Sequence, residues 1–293
     1  MGGTKPEESD LMSRLCIVLA LLAPASPPDP ELVAAKVAKL PSIDGKASDE
    51  AWAKAAELVV PMGPTNEANP GKKLSMKAVH DGTSICLLLV WADEIADARH
   101  KDYSWSVLSE KYHVAEDAPI EDCASLGFSL EGPFNPDMLA PVEAKWDVWE
   151  WCAFRSSGGH ALDKWHLYSK TKPAGLKARQ LPARDESDIY IARVDDEGTP
   201  PYKKLPPPTA KGPETAPQFA AQPPSGSAAD VEARATHADG KWTLELKRKL
   251  KTGMKDDVQF DAAKTVPFAV ATFDAVEHAD HDVSGKLLLR FQP

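Results

Sequence analysis

The chain has little cysteine, and nowhere is it grouped as a metal knuckle or redox pair would require. Of four cysteines, Cys16 falls in an apolar amino-terminal run, leaving Cys86, Cys123 and Cys152. An odd number excludes a complete disulfide framework; one bridge with a free thiol, or three buried thiols, both satisfy the count. Gly-x-Ser-x-Gly, His-Glu-x-x-His, the P-loop and Gly-x-Gly-x-x-Gly are all missing, which removes the usual signatures of hydrolysis, metalloproteolysis and nucleotide binding. Acidic pairs are many, but none is set in an apolar strand end that would shift a pKa. The chain is therefore not expected to be an enzyme by itself. Basic charge is also short: 34 Lys and Arg against 44 Asp and Glu give a net charge of −10. That argues against nucleic acid, which wants a basic face, and is compatible with docking to a basic protein.

Long apolar runs are equally scarce. The longest, Leu15–Leu22, is far below the roughly 20 residues that a bilayer demands. It follows Met12-Ser-Arg14 and precedes Ala23-Pro-Ala25, the order of basic, apolar and small residues in a secretory signal. Residues 1–27 are thus expected to be a leader with Met12 as the true start, the mature chain exported to the periplasm or beyond, without a membrane span. Nor is there the alternation of strands with helices of ~10–15 residues that a parallel α/β sheet needs.

What is present reads as β-structure. Val231–His237 and Trp242–Arg248 alternate apolar and polar residues about Asp239-Gly240, a strong hairpin signal. Lys73–His80 and Ser84–Trp91 repeat it about Asp81-Gly82. Cys123–Leu130 reads as a strand. Asp147–Arg155 reads as another, with Trp149 and Trp151 on one face and Val148, Glu150 and Cys152 on the other. Val266–Phe273 and Val283–Phe291 close the chain around an acidic turn carrying His278, Asp280, His281 and Asp282. Lys36–Leu40 alternates weakly, and Ser48–Glu50 caps a short helix bearing Trp52. Residues 156–175 look like loop, with His160 and His166 solvated, and 93–113 resist assignment. The segment at about 196–228, dense in Pro, Gly, Ser and Ala, can form neither a core nor a central strand and reads as a surface excursion. The expected architecture is all-β: one antiparallel sandwich domain over residues 28–293, immunoglobulin-like or like a family 9 carbohydrate-binding module, with long loops and a few short helices.

Two side chains could ligate a haem iron: His281 beside the last strand, and Met138 in the loop before the Trp149/Trp151 strand. Covalent c-type attachment is excluded in its usual form because Cys-x-x-Cys-His does not occur. Ordinary divalent-metal binding by His278, Asp280, His281 and Asp282 is the blander reading of the same turn.

A resemblance sharpens this. Ile43-Asp-Gly45 with Asp49-Glu-Ala-Trp52, Val90-Trp91-Ala-Asp93, Trp149-Glu-Trp151, Gly240-Lys-Trp242 through Leu250, Asp257-Val-Gln-Phe260 and His281-Asp-Val-Ser284 occur in an order that resembles the haem-binding domain of the ethylbenzene dehydrogenase gamma-subunit family, over roughly residues 37–293. That resemblance implies a β-sandwich holding one non-covalent haem b, and a role relaying electrons between a molybdenum/iron–sulfur catalytic subunit and a periplasmic cytochrome. It implies His281 and Met138 as axial ligands, with Lys286 the fallback where relatives use lysine. Trp149 and Trp151 could wall the haem, and Arg248 could pair with a propionate. The Ile-Asp-Gly…Trp opening also resembles family 9 carbohydrate-binding modules, whose sandwich grips sugar ends between tryptophans. That is the alternative function.

Overall fold

The computed structural model describes residues 1–2, 28–64, 72–276 and 281–293. The expected leader, and His278 and Asp280 of the acidic turn, lie outside them. Twelve strands form one continuous path: β1 (Glu31–Lys36), β2 (Lys73–His80), β3 (Ser84–Ala92), β4 (Cys123–Glu131), β5 (Ala144–Cys152), β6 (Leu162–Ser169), β7 (Ala178–Pro182), β8 (Asp188–Asp195), β9 (Glu232–Ala238), β10 (Lys241–Lys249), β11 (Val266–Phe273) and β12 (Leu287–Phe291). Their order across the sheet is β7-β8-β6-β5-β4-β11-β12-β1-β2-β3-β10-β9. The fold is the all-β sandwich that the alternation predicts.

The turns explain the hairpins. Between β9 and β10, Asp239 and Gly240 have φ of 52° and 67°. Two left-handed residues in succession match the twist of the flanking strands, and Asn or Asp followed by Gly adopts that form most readily. Between β2 and β3, Gly82 has φ 89°, and Asp81 Oδ1 accepts the Thr83 and Ser84 N–H groups at 2.7 and 2.8 Å.

The sheet folds over so that its two halves face one another. Trp151 on β5 meets Trp242 on β10 at 4.8 Å and Trp91 on β3 at 6.1 Å between ring centroids. Phe128 on β4 stacks on Phe268 of β11 at 5.5 Å and tilts against Trp149 at 4.7 Å. This aromatic layer, with Leu74, Met76, Leu87, Leu89, Leu126, Leu244 and Leu246, is the core. β1 enters between β12 and β2 and runs parallel to both, the one departure from an antiparallel sheet.

Several expectations are corrected. Residues 156–175 are not all loop: β6 occupies the middle and carries His166. The first strand is Glu31–Lys36 rather than Lys36–Leu40, and the 93–113 stretch contains a hairpin of Tyr103–Ser106 with Lys111–Val114. The capped helix is a single 3-10 turn, Glu50–Lys54, whose Asp49 makes no side-chain cap. The closing strand is broken, Asp282–Val283 pairing with β11 before β12 begins. The Pro-rich excursion closes on itself through two short ladders, Gly198–Thr199 with Ser225–Gly226 and Tyr202–Lys204 with Phe219–Ala221. No helix among the described residues is long and apolar enough to cross a membrane.

If Phe128 anchors the aromatic layer, Phe128→Ala removes buried contacts on three sides and costs about 3–5 kcal/mol. Urea denaturation followed by tryptophan fluorescence checks this; a loss below about 1 kcal/mol would contradict the packing described.

Candidate functional site

The outer faces of β4, β5, β6 and β11 carry the residues that alternation turns away from the core. Register places Ser125 opposite Glu150, Gly127 opposite Val148, and Trp146 opposite His166. Ala269 and Ala271 of β11 continue the row beside Gly127 and Ser125. Together with Cys123, Lys164, Tyr168 and Phe273 these floor a cavity of about 290 Å³ that opens to solvent. Its walls come from loops: His100 and Lys101, Ile120 and Glu121, Pro136 and Met138, Arg155, and the closing segment with Val276, His281 and Val283. Arg193, across from His166 on β8, completes the rim.

Met138 and His281, separated by more than a hundred residues of sequence, therefore line one cavity. Met138 packs against the cluster of Trp146, Val148, Tyr168, Ile189 and Ile191. His281 is buried and stacks on Phe273, centroids 4.8 Å apart and planes 18° from parallel. Asp282, next in the chain, pairs with Lys72 at 2.8 Å and so helps to fix the segment that presents the imidazole.

The other residues singled out from sequence fall elsewhere. Trp149 and Trp151 face the core at 0% and 4% exposure, because odd-numbered positions of β5 point inward. Arg248 is 1% exposed and bonded within the core to Asp147 at 2.6 Å and Asp257 at 3.2 Å. It is not on a solvated strand face and is sealed from any ligand in the cavity. Lys286 pairs with Asp29 at 2.7 Å and is not among the cavity's lining residues.

Charge inside the cavity is paired with care. Lys164 donates to Glu150, the two side chains being only 14% and 21% exposed. Burial alone would push the Glu150 carboxyl up, but Lys164 and Arg155 outweigh it and hold it well below the usual carboxylate range. Glu121 accepts the Phe154 and Arg155 N–H groups at 2.6 and 3.0 Å as well as the Arg155 Nε–H, and faces His100 Nδ1 at 3.4 Å. Burial, reinforced by Arg193 and Lys164, depresses His166 to about 3, so its imidazole is neutral at any physiological pH. Cys123 and Cys152 stand opposite across β4 and β5 with sulfurs 2.7 Å apart, and Arg155 Nη2 approaches Cys152 Sγ at 3.2 Å. The sequence reading passes over His100, Glu121, Arg155, Lys164 and Arg193, and it takes His166 for a solvated loop residue, whereas His166 lies on β6 and lines the cavity. The parity of Lys164, His166 and Tyr168 against Trp146 and Val148 was the available signal.

The family model described as ethylbenzene dehydrogenase matches residues 49–284. The chain belongs to this family. The ethylbenzene dehydrogenase match takes in every strand from β2 to β11 and both Met138 and His281. No curated protein matches the chain. Among solved structures, a carbohydrate binding module family 9 from Caldicellulosiruptor kristjanssonii in complex with glucose is similar at 9% identity, covering 89% of this chain and 97% of that one, with a TM-score of 0.40. A protein from Bacteroides uniformis is similar at 12% identity, covering 90% and 100%, with a TM-score of 0.45.

The Glu150–Lys164 pair carries a testable consequence. A carboxyl held low in the folded state stabilises the protein above its ordinary value of 4.5 and loses that contribution as pH falls below it. Glu150→Gln leaves Lys164 buried beside Arg155 without its partner and costs about 3–5 kcal/mol at neutral pH. It also flattens the acid limb of the stability–pH curve. Equal curves for both proteins in urea titrations from neutral to acid pH would refute the pairing.

Proposed function

We propose that this member of the ethylbenzene dehydrogenase family is an exported electron-transfer subunit that binds haem b non-covalently in the outer-face cavity, with His281 and Met138 as axial ligands. The observation that carries this reading is the convergence of a thioether and an imidazole, distant in sequence, on one recess with apolar walls. The residues present suit the group. Trp146, Val148, Phe273, Val276 and Val283 offer apolar surface, while Arg155, Arg193 and Lys164 supply cations of the kind that pair with propionates. Gly127 keeps the floor bare: a Cβ there would come within 3.0 Å of the Trp146 ring. The volume is at the lower edge of the range of about 300–1,000 Å³ typical of small-molecule pockets, and the open mouth lets a larger ligand emerge.

Bound haem supplies a one-electron iron couple, whose potential is tuned by axial ligation and burial. The chain's own part is to position and to exclude. Phe273 fixes the plane of the His281 ring, and the Trp146–Tyr168 cluster holds the Met138 thioether. His166, neutral, adds polarity to the wall without adding charge. Thioether ligation favours ferrous iron and hence a higher potential than two nitrogen ligands. In this reading the protein catalyses nothing alone. It relays electrons between a molybdenum/iron–sulfur catalytic subunit and a periplasmic cytochrome, and the leader-like run at residues 1–27 supports export. The carbohydrate-binding alternative, which rests on the opening that ends in Trp52, gains no support from Trp52, Trp149 or Trp151, since all three are buried and a sugar platform needs ring faces open to solvent.

Expression in a haem-competent host should give a coloured protein with a Soret band and sharp bands on reduction. His281→Ala and Met138→Ala should each change the ferrous spectrum, and Met138→Ala should lower the midpoint potential. A colourless product that also fails to take up added hemin, or variants with unaltered spectra and potential, would overturn the assignment.

A further inference from the structure

On the opposite side of β5 from the cavity, at one end of the sandwich, five aspartates crowd around one guanidinium. Asp147 on β5 and Asp163 on β6 point inward at 0% and 2% exposure. Asp196 follows β8 directly, and Asp257 with its neighbour Asp256 lies in the loop after β10. One oxygen from each of Asp147, Asp163 and Asp257 lies within 4.8 Å of the others, and the same holds for Asp196, Asp256 and Asp257. Asp257 belongs to both groups, so the two triads are continuous.

Arg248 does not satisfy this cluster. It donates to Asp147 Oδ2 at 2.6 Å, to Asp257 Oδ1 at 3.2 Å and to the Val258 carbonyl. Asp147 Oδ2 also accepts the Val258 N–H at 2.8 Å. Asp256 is held by the Glu197 N–H and the Ser227 hydroxyl, both at 3.0 Å. Both oxygens of Asp163, both of Asp196, Asp147 Oδ1 and Asp257 Oδ2 are buried and accept no hydrogen bond from the protein. Leaving such acceptors bare inside a protein is costly when they are neutral and more so when they are charged. These six oxygens are spread over two triads that share Asp257, and a bound cation would relieve those it touches.

We propose that this cluster is a binding site for a divalent hard cation such as calcium, held by Asp147, Asp163 and Asp257, with Asp196 in the adjoining triad. Calcium takes six to eight oxygens at about 2.3–2.6 Å in flexible geometry, whereas magnesium demands near-ideal octahedral geometry and usually keeps several waters; carboxylates drawn from separate segments and buried from water suit calcium better. Burial and mutual repulsion push Asp163 well above the carboxylate range and Asp196 up to about 8.

Placement indicates the role. Asp196 opens the Pro-rich excursion, Ser227 closes it, and Asp256 ties both to the loop after β10. An ion here staples the base of a segment that has no core of its own. This site is independent of the haem reading, since Trp149 and the body of the sheet separate the two.

The test uses the full chain as purified. Elemental analysis by mass spectrometry after dialysis should find calcium at about one per chain. Excess EDTA should lower the melting temperature by about 5–10 °C, and calcium chloride should restore it. Asp163→Asn and Asp196→Asn should each weaken calcium binding about tenfold or more by calorimetry and abolish the EDTA-sensitive part of the melting temperature, with the cavity's spectrum unchanged. If these variants melt at or above the wild-type temperature, calcium is absent, and EDTA and added calcium have no effect, the cluster is a protonated carboxyl network and the proposal fails.

Discussion

The two-residue period of β5 governs everything functional in this fold. Nine residues, Ala144–Cys152, lie between two polar or aromatic environments, and each successive side chain must choose one. Asp147, Trp149 and Trp151 go inward; Trp146, Val148 and Glu150 go outward. A slip of one residue would place two tryptophans in the cavity and a glutamate in the aromatic layer. The register is pinned on both edges, by seven residues of β6 and by β4 through a bulge between Ser129 and Glu131.

The same constraint distributes charge. Glu150 and Lys164 meet on the outer face, where the cavity gives partial access to water, and they compensate each other. Asp147 and Asp163 meet Arg248 on the inner face, where water is excluded and the compensation is incomplete. Buried ions seldom add net stability over an apolar replacement, but they are costly to leave unpaired. One strand pair thus bears a balanced ionic site on one side and an unbalanced one on the other. The balanced side is suited to a ligand with its own apolar body, the unbalanced side to an ion.

Much of this was legible in the residues. Strands β2, β3, β4, β5, β9, β10 and β11 follow from alternation and from Asp-Gly turns, because a half-buried antiparallel strand writes its period into the sequence. β6 was not legible: Asp163 faces inward while Lys164 and His166 face the cavity, so polarity on both sides erases the period. The aspartate cluster escaped for a related reason, since its members come from four separate segments and only the tertiary fold makes them neighbours. Arg248 is flanked by Lys247 and Lys249, yet alternation sends it inward with Leu244 and Leu246, away from any propionate in the cavity. Met138 and His281 stand out as ligand types beside strands, and the family resemblance strengthens the pairing, since neither lies in a strand whose period would place it.

Met138 and His281, which both line the outer-face cavity, would together hold the iron of a haem bound there. Proton NMR of the reduced, haem-loaded protein addresses this pairing most directly, because a methionine methyl on a diamagnetic haem iron lies in the ring current and is displaced far upfield. The account predicts one such three-proton resonance, lost in Met138→Ala and retained in variants of other methionines. A spectrum of the haem-loaded protein without that resonance, or one in which Met138→Ala leaves it in place, would contradict it.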